Sequence, residues 1–319
     1  GSGFTILVSG FVFVSLAYYG LNSELVTAVN YLPEGFDFAV SYVSLYFALI
    51  VSFVFFMVSF FNPYFAPKLK YPSAYNLLFL LSLAGAIGVF FANDFIVLFF
   101  FFELVVWSSL FLIPMGTKRK PTSWYYGFSA FGSFSLLFAI FIMYGETGTF
   151  DITTGLAGVS GFEAGVVFTL MAAAAFAKLG AFPLHIWLPK VLGSSPDPVT
   201  SVFSGGLEKL GAFVAFMAFV RLTPVGTMID AIGLTTGQYA IAFLGALTIV
   251  FGTLMAIRQD DAKKLLAYSS LAHVGLIAAG AYTLTIDGLR GAVLQMISHG
   301  FVIVGLFLAA EIIYRRFET

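Results

Sequence analysis

No cysteine occurs in these 319 residues, and only 10% of them are charged. The missing thiols exclude disulfides, thiolate zinc sites, iron–sulfur clusters and covalently attached haem within the chain. The scarcity of charge excludes an ordinary soluble domain, where about a quarter of residues are charged. The formal net charge is −1, so neither nucleic acid nor an acidic ligand is implied as a partner. Residues 4–20 are apolar but have no basic leader, so no cleavable signal peptide is expected. The chain opens Gly-Ser-Gly without a methionine, as expected of a trimmed or processed start.

What the chain does have is apolar length: 60% of it is hydrophobic. A bilayer core of about 30 Å takes roughly 20 helical residues. Ten stretches fit, at about 4–20, 37–61, 75–93, 95–114, 123–145, 163–182, 198–220, 237–257, 264–284 and 289–314. Several are rich in aromatics, which alone would suit strands. Their length and unbroken apolarity favour helices over the alternating pattern of a barrel. The expected fold is all-α, a polytopic transmembrane bundle of about ten spans.

Loop charge gives an independent reading. One set of loops holds Lys68, Lys70, Lys118, Arg119, Lys120, Lys190, Arg258, Lys263, Lys264, Arg315 and Arg316. The alternate set holds Arg221 and Arg290, with Glu24, Glu34, Asp37, Asp94, Glu146, Asp151, Glu163, Asp230 and Asp287. The positive-inside rule places the first set in the cytoplasm. The chain is then a multi-pass protein of the cell (inner or plasma) membrane.

Four ionisable residues fall inside the apolar stretches: Glu103, Lys178, Lys209 and His299. A charge at the bilayer centre costs at least about 2.5–3.5 kcal/mol, and such residues commonly mark ion paths. Plainer readings compete at each: a protonated Glu103 bonded to a neighbouring helix, a snorkelling Lys178, a local ion pair at Lys209, and a hydrogen-bonded core histidine at His299. Glu103 and Lys178 are opposite in sign, on different helices, and natural partners. Lys209 is about eleven residues into its span, near the bilayer centre. Ser201, Ser204 and Glu208 fall at helical spacing beside it. Gln295 precedes His299 by one turn, and His273 shares a face with Ser269. In AAAAFAKLGAFPLHIWLP (172–189), Gly180 and Pro183 interrupt a small-residue helix just after Lys178. Interrupted helices survive in membranes where they face protein or a wet cavity. His185 follows that break and is a candidate guard of an entrance. The plain alternative is that Pro183 ends the span, with Trp187 anchoring the interface. No histidine pair has the spacing of a zinc or haem site, and no nucleophile–base pair is evident, so no catalytic residue, metal site or cofactor is assigned to this chain.

The run FAKLGAFPLHIWLPKVLGSSPDPVTSVFSGGLEKLGAF (176–213) resembles a hallmark of the antiporter-like subunits of respiratory complex I, Mrp-type sodium/proton antiporters and membrane-bound hydrogenases. FFELVVWSSLFLI (101–113), GETGTFDI (145–152), QDDAKKLLAYSSLAHVG (259–275) and GAVLQMISHGFVIVGLFL (291–308) resemble further family motifs, in family order.

The resemblance implies roles residue by residue. Glu103 matches the fifth-helix glutamate, and Lys178 the lysine of the discontinuous seventh helix that pairs with it. Lys209 matches an eighth-helix lysine of one branch; other branches carry histidine near Ser204. His299 matches the eleventh-helix histidine of the central relay. His185, His273, Glu208, Ser204 and Gln295 are accessory candidates. The resemblance also implies two inverted five-helix repeats. In this chain they would be N-terminal helices at 1–74, a first unit at 75–221 and a partial second unit at 237–319. The family's first helix and its twelfth, which carries a terminal relay residue, have no counterpart here, as expected of a partial sequence or a shortened paralogue. The function implied is proton, or sodium/proton, translocation within a redox-driven membrane complex. Other membrane subunits are the expected partners, and redox cofactors are expected there and not in this chain. The alternatives are an Mrp-type antiporter without a redox partner, an integral membrane enzyme acting on lipid or quinone, and a scaffolding paralogue.

Overall fold

A computed structural model of the chain describes residues 1–22, 28–29, 37–115, 122–222, 228–229, 234–283 and 285–317. Helix dominates, because a chain in lipid must satisfy its backbone groups internally. In order the helices are α1 (Ser2–Asn22), α2 (Tyr42–Ser59), α3 (Asn62–Phe65), α4 (Pro72–Phe91), α5 (Phe95–Leu112), α6 (Thr122–Thr147), α7 (Ile152–Gly158), α8 (Gly161–Leu179), α9 (Trp187–Leu192), α10 (Asp197–Val202), α11 (Lys209–Arg221), α12 (Thr236–Ile257), α13 (Ala262–Tyr282) and α14 (Ile286–Phe317). Two minimal antiparallel ladders join β1 (Ala28–Val29) to β2 (Phe38–Ala39) and β3 (Met228–Ile229) to β4 (Leu234–Thr235).

Among the described residues nine helices are long and apolar enough to cross a membrane: α1, α2, α4, α5, α6, α8, α12, α13 and α14. The chain is a multi-pass membrane protein. The remaining expected span, 198–220, is not one continuous α-helix. It consists of α10, a π-helical turn at Phe203–Leu207, and α11. The span expected from residue 37 starts at Tyr42, because Ser41 caps α2 by accepting the Ser44 amide at 3.1 Å, while Phe38 and Ala39 are extended.

The bundle is apolar on its outer surface as well as in its core. On α6, Phe131, Phe134, Phe138 and Phe141 recur every three or four residues and all face outward. Ser129, Ser133 and Ser135 of the same helix are buried. Small residues inside let helices approach closely, which drives packing where lipid removes the hydrophobic incentive. Where aromatics do turn inward they interlock. The rings of Phe47, Phe90 and Phe213 lie 5.2–5.5 Å apart and join α2, α4 and α11.

The expected break after Lys178 is present. Helix α8 ends at Leu179, and Gly180 takes the left-handed conformation at φ 70°. A side chain there would be strained, and a Cβ would also meet Leu188 Cβ at 2.8 Å. Several of the freed polar groups find partners in protein. Phe176 O accepts the amides of Gly180 and Ala181, Ala177 O accepts the Trp187 indole at 2.8 Å, and the Phe182 amide donates to Thr248 Oγ1 at 3.0 Å. Trp187 is therefore a buried bracket across the break, 1% exposed, and not an interface anchor.

Described members of each loop set are tied to one another. In one, Asp94 caps α5 by accepting the Val97 amide, also accepts the Asp37 amide at 2.9 Å, and pairs through its backbone with Asp151. Burial raises the Asp94 carboxyl above its ordinary range. In the other, Ser2 donates to Asn62 O, Lys263 pairs with Asp197, and Lys68 and Arg316 line one cavity. Lys190 of that set stacks over the Trp124 ring. Lys118, Arg119 and Lys120 lie outside the described residues, as do Glu24, Glu34 and Asp230.

Candidate functional site

Lys209 opens α11 directly after the π-helical turn. The turn closes with the Glu208 amide donating to Phe203 O at 3.1 Å, a span of five residues. Such a turn inserts one residue into the helix and is common at functional sites. It rotates the succeeding residues by about 100° around the helix axis. Ser204 and Lys209, five apart, are thereby stacked one above the other, and the Lys209 ammonium donates to Ser204 O at 2.5 Å. The stripe read from sequence as Ser201, Ser204 and Glu208 is thus continued by Lys209 instead of Glu208.

Gly205 lets α14 close onto this turn. A Cβ at Gly205 would stand 2.5 Å from Val304 Cγ2 and 3.2 Å from Gly300 O. In that contact His299 brings Nδ1 to 2.9 Å from Lys209 Nζ. Lys209 is 1% exposed and His299 4%. Facing an ammonium, Nδ1 is the acceptor, so a neutral imidazole carries its proton on Nε2. That Nε2 has no protein partner. The His273 ring lies 5.0 Å from the His299 ring, and His273 Nδ1 is 2.6 Å from Gln295 Nε2. On the other side, Ser204 Oγ meets Ser270 Oγ at 2.7 Å. A polar line therefore runs Ser270, Ser204, Lys209, His299, His273, Gln295, drawn from the π-turn, α11, α13 and α14. Within it, Lys209 and His299 can each hold or release a proton at hydrogen-bond distance, the geometry proton transfer requires.

Lys178, 3% exposed, forms a second centre. Its ammonium donates to Tyr125 Oη at 2.9 Å, and that oxygen lies 2.5 Å from Ser109 Oγ. The faces of Tyr125 and Phe102 lie 5.3 and 5.6 Å from Nζ, within reach of cation–π attraction. Tyr125 also packs edge-on against Phe203 at 5.5 Å. Phe203 begins the π-turn, so the two lysine centres share that aromatic contact.

The transmembrane family described as NADH:quinone oxidoreductase/Mrp antiporter matches residues 92–319. That stretch is more than half the chain and contains both lysine centres. The chain belongs to this family. Similar proteins include NADH-ubiquinone oxidoreductase chain 4 of Marchantia polymorpha, 27% identical over 99% of this chain and 63% of that protein. NAD(P)H-quinone oxidoreductase chain 4-3 of Nostoc sp. is 32% identical over 93% of this chain and 53% of its own. The chain thus spans between about half and two thirds of these curated relatives. Its fold matches a chain of an archaeal membrane-bound sulfane sulfur reductase with TM-score 0.85 and 30% identity, covering 97% of this chain and 52% of that one. It also matches a chain of respiratory complex I from Thermus thermophilus with TM-score 0.86 and 25% identity, covering all of this chain and 68% of that one. A chain of the Mrp complex from Dietzia sp., at 23% identity and TM-score 0.82, shares the fold; the match covers 96% of this chain and 34% of that one.

In this antiporter-family chain the expected site residues do not all meet. Lys209 and His299 are bonded, and Ser204, His273 and Gln295 join them. Gln295 serves His273, not the His299 with which it shares a helix face. Glu103 is not paired with Lys178 in this conformation; the Lys178 ammonium is bonded to Tyr125 instead. The reason is rotational: Phe102 presents its ring to Lys178, and Glu103 is the next residue, about 100° further round α5. Glu103 Oε1 is buried without a hydrogen-bond partner. Glu208 is 1% exposed, and neither carboxyl oxygen has a partner. His185 lies between the Phe182 and Phe251 rings, apart from the polar line. Tyr125 was not foreseen; its one sequence signal is a hydroxyl on a ring inside an apolar span.

Proposed function

We propose that this chain translocates protons, or exchanges sodium for protons, as a membrane subunit of a redox-driven respiratory assembly. The observation that carries the reading is the bonded Lys209–His299 pair, buried at the middle of a membrane bundle and extended by His273 and Gln295. Buried ionisable groups in a membrane are costly and mark ion paths. The named relatives are quinone oxidoreductase chains, which supports redox coupling. In this reading, redox cofactors belong to partner subunits. Lys178 moves between Tyr125, where it now rests, and Glu103, whose free oxygen awaits a donor. That shift drives proton passage through Lys209 and His299. The face bearing Lys68, Lys263 and Arg316 is cytoplasmic in the inner or plasma membrane. The units 75–221 and 237–319 form the two halves of the path.

An Mrp-type antiporter subunit without redox partner is the second reading, favoured by the family's own scope. Purification of the native assembly and its reconstitution in vesicles separate the two. Under the redox reading, subunits with iron–sulfur clusters co-purify and substrate oxidation moves protons away from the Lys263 face. That face is located by labelling single introduced cysteines in a chain that has none. Sodium-gradient-driven proton flux with small membrane subunits alone would establish the second reading. Absence of any coupled ion movement would refute both.

A further inference from the structure

The segment formed by α10 and the π-turn is joined to α13 by two polar rungs. Asp197 and Lys263 pair at 2.7 Å, and Ser204 of the π-turn and Ser270 at 2.7 Å. Each segment advances seven residues between rungs, about 10 Å along the chain axis. Between them sits Ser201, one turn from Asp197, fully buried and with its Oγ unpartnered. Beyond the inner rung is Lys209, bonded to Ser204 O. The outer rung is not closed to water. Asp197, itself 8% exposed, neighbours Glu311 of α14, and Glu311 lines a cavity of about 440 Å³ with Pro198, Lys68 and Arg316.

We propose that the Asp197–Glu311 carboxyl pair is a proton-loading site, which takes protons from that cavity and delivers them along the α10–α13 seam to Lys209. The inference rests on the proton-translocating reading above and adds its entrance. Two neighbouring carboxyls hold a shared proton well, since both cannot comfortably ionise. Lys263 balances the remaining charge, and it also donates to Ser195 O. In the transfer, a carboxyl O–H bond breaks and an N–H bond forms on a neutral Lys209 amine, with Ser201 and Ser204 hydroxyls between. The carboxylate left behind is reprotonated from the cavity. The charged groups facing Asp197 are Lys263 on α13 and Glu311 on α14; Lys68 and Arg316 rim the cavity. Burial first, then the Glu311 contact, push the Asp197 carboxyl up to about 7, while Lys263 pulls it down. Loading would therefore fail as the pH on this face rises through neutrality.

The test uses the intact assembly in vesicles, with pH varied only on the Lys263 face. Wild-type proton translocation should decline as that pH rises through neutrality. Asp197→Asn should lower translocation about tenfold at neutral pH and abolish this dependence. Glu311→Gln, by removing a group that raises Asp197, should move the decline to lower pH while leaving the Asp197–Lys263 pair. Infrared difference spectra should show a protonated-carboxyl band titrating near neutrality that is absent in Asp197→Asn. Unchanged pH dependence in both variants, with Lys209→Met still blocking transport, would overturn the entrance and leave the relay standing. If Lys209→Met also transports normally, the translocation reading itself fails.

Discussion

Lys209→Met is expected to cut proton translocation by about tenfold or more while the assembly still forms. The substitution removes the ammonium that bridges Ser204 O and His299 Nδ1. Each acceptor left bare costs roughly 1–3 kcal/mol. Removing a desolvated charge returns energy of similar size, since buried ions are expensive to hold. Folding should therefore survive where transport does not. Lys209→Arg separates a relay from a structural charge. A desolvated ammonium can release its proton, but a guanidinium stays charged at any physiological pH. Arg should accordingly be no better than Met in transport. If Lys209 were only a structural charge, Arg would be tolerated and Met would lower the yield of assembled protein. Transport and yield measured side by side for both variants decide between these outcomes.

Lys178→Ala should also lower translocation by about tenfold or more. Its ammonium is bonded to the Tyr125–Ser109 pair and lies over the Phe102 and Tyr125 rings. Without it, no ammonium is left to move from Tyr125 to the unpartnered oxygen of Glu103. Tyr125→Phe is a milder change. It deletes the hydrogen bonds to Lys178 and Ser109 but keeps both cation–π contacts, so it should retain more transport than Lys178→Ala. Wild-type translocation by Lys178→Ala would remove Lys178 from the mechanism. Loss in Tyr125→Phe equal to that in Lys178→Ala would show that the hydroxyl, and not the charge, carries the step.

Spans and buried lysines were legible because a charge inside an apolar run stands out against its background. The break at Gly180–Pro183 was legible for a similar reason: both residues oppose helix locally. The π-turn was not. Gly205–Gly206 marked a weak point in the span, but a single inserted residue changes no composition and only slightly disturbs periodicity. Its effect was large, because it exchanged Glu208 for Lys209 on the polar face. The Glu103–Lys178 pairing was expected from sign, depth and the family resemblance, and none of these fixes rotation about a helix axis. Rotation put Phe102 and not Glu103 against the ammonium. The His273–Gln295 contact joins two helices, and nothing in one sequence fixes their relative register.

The central claim is that Lys209 and His299 act in series on one proton path. A double-mutant comparison tests it most directly: protons moved per turnover in vesicles for Lys209→Met, His299→Gln and the combined variant. Groups acting as a unit give strongly non-additive losses, whereas independent ones add. The account predicts that each single variant fails and that the combined variant is no worse than Lys209→Met alone. Wild-type proton yield in His299→Gln, or a combined loss equal to the product of two partial single losses, would contradict it.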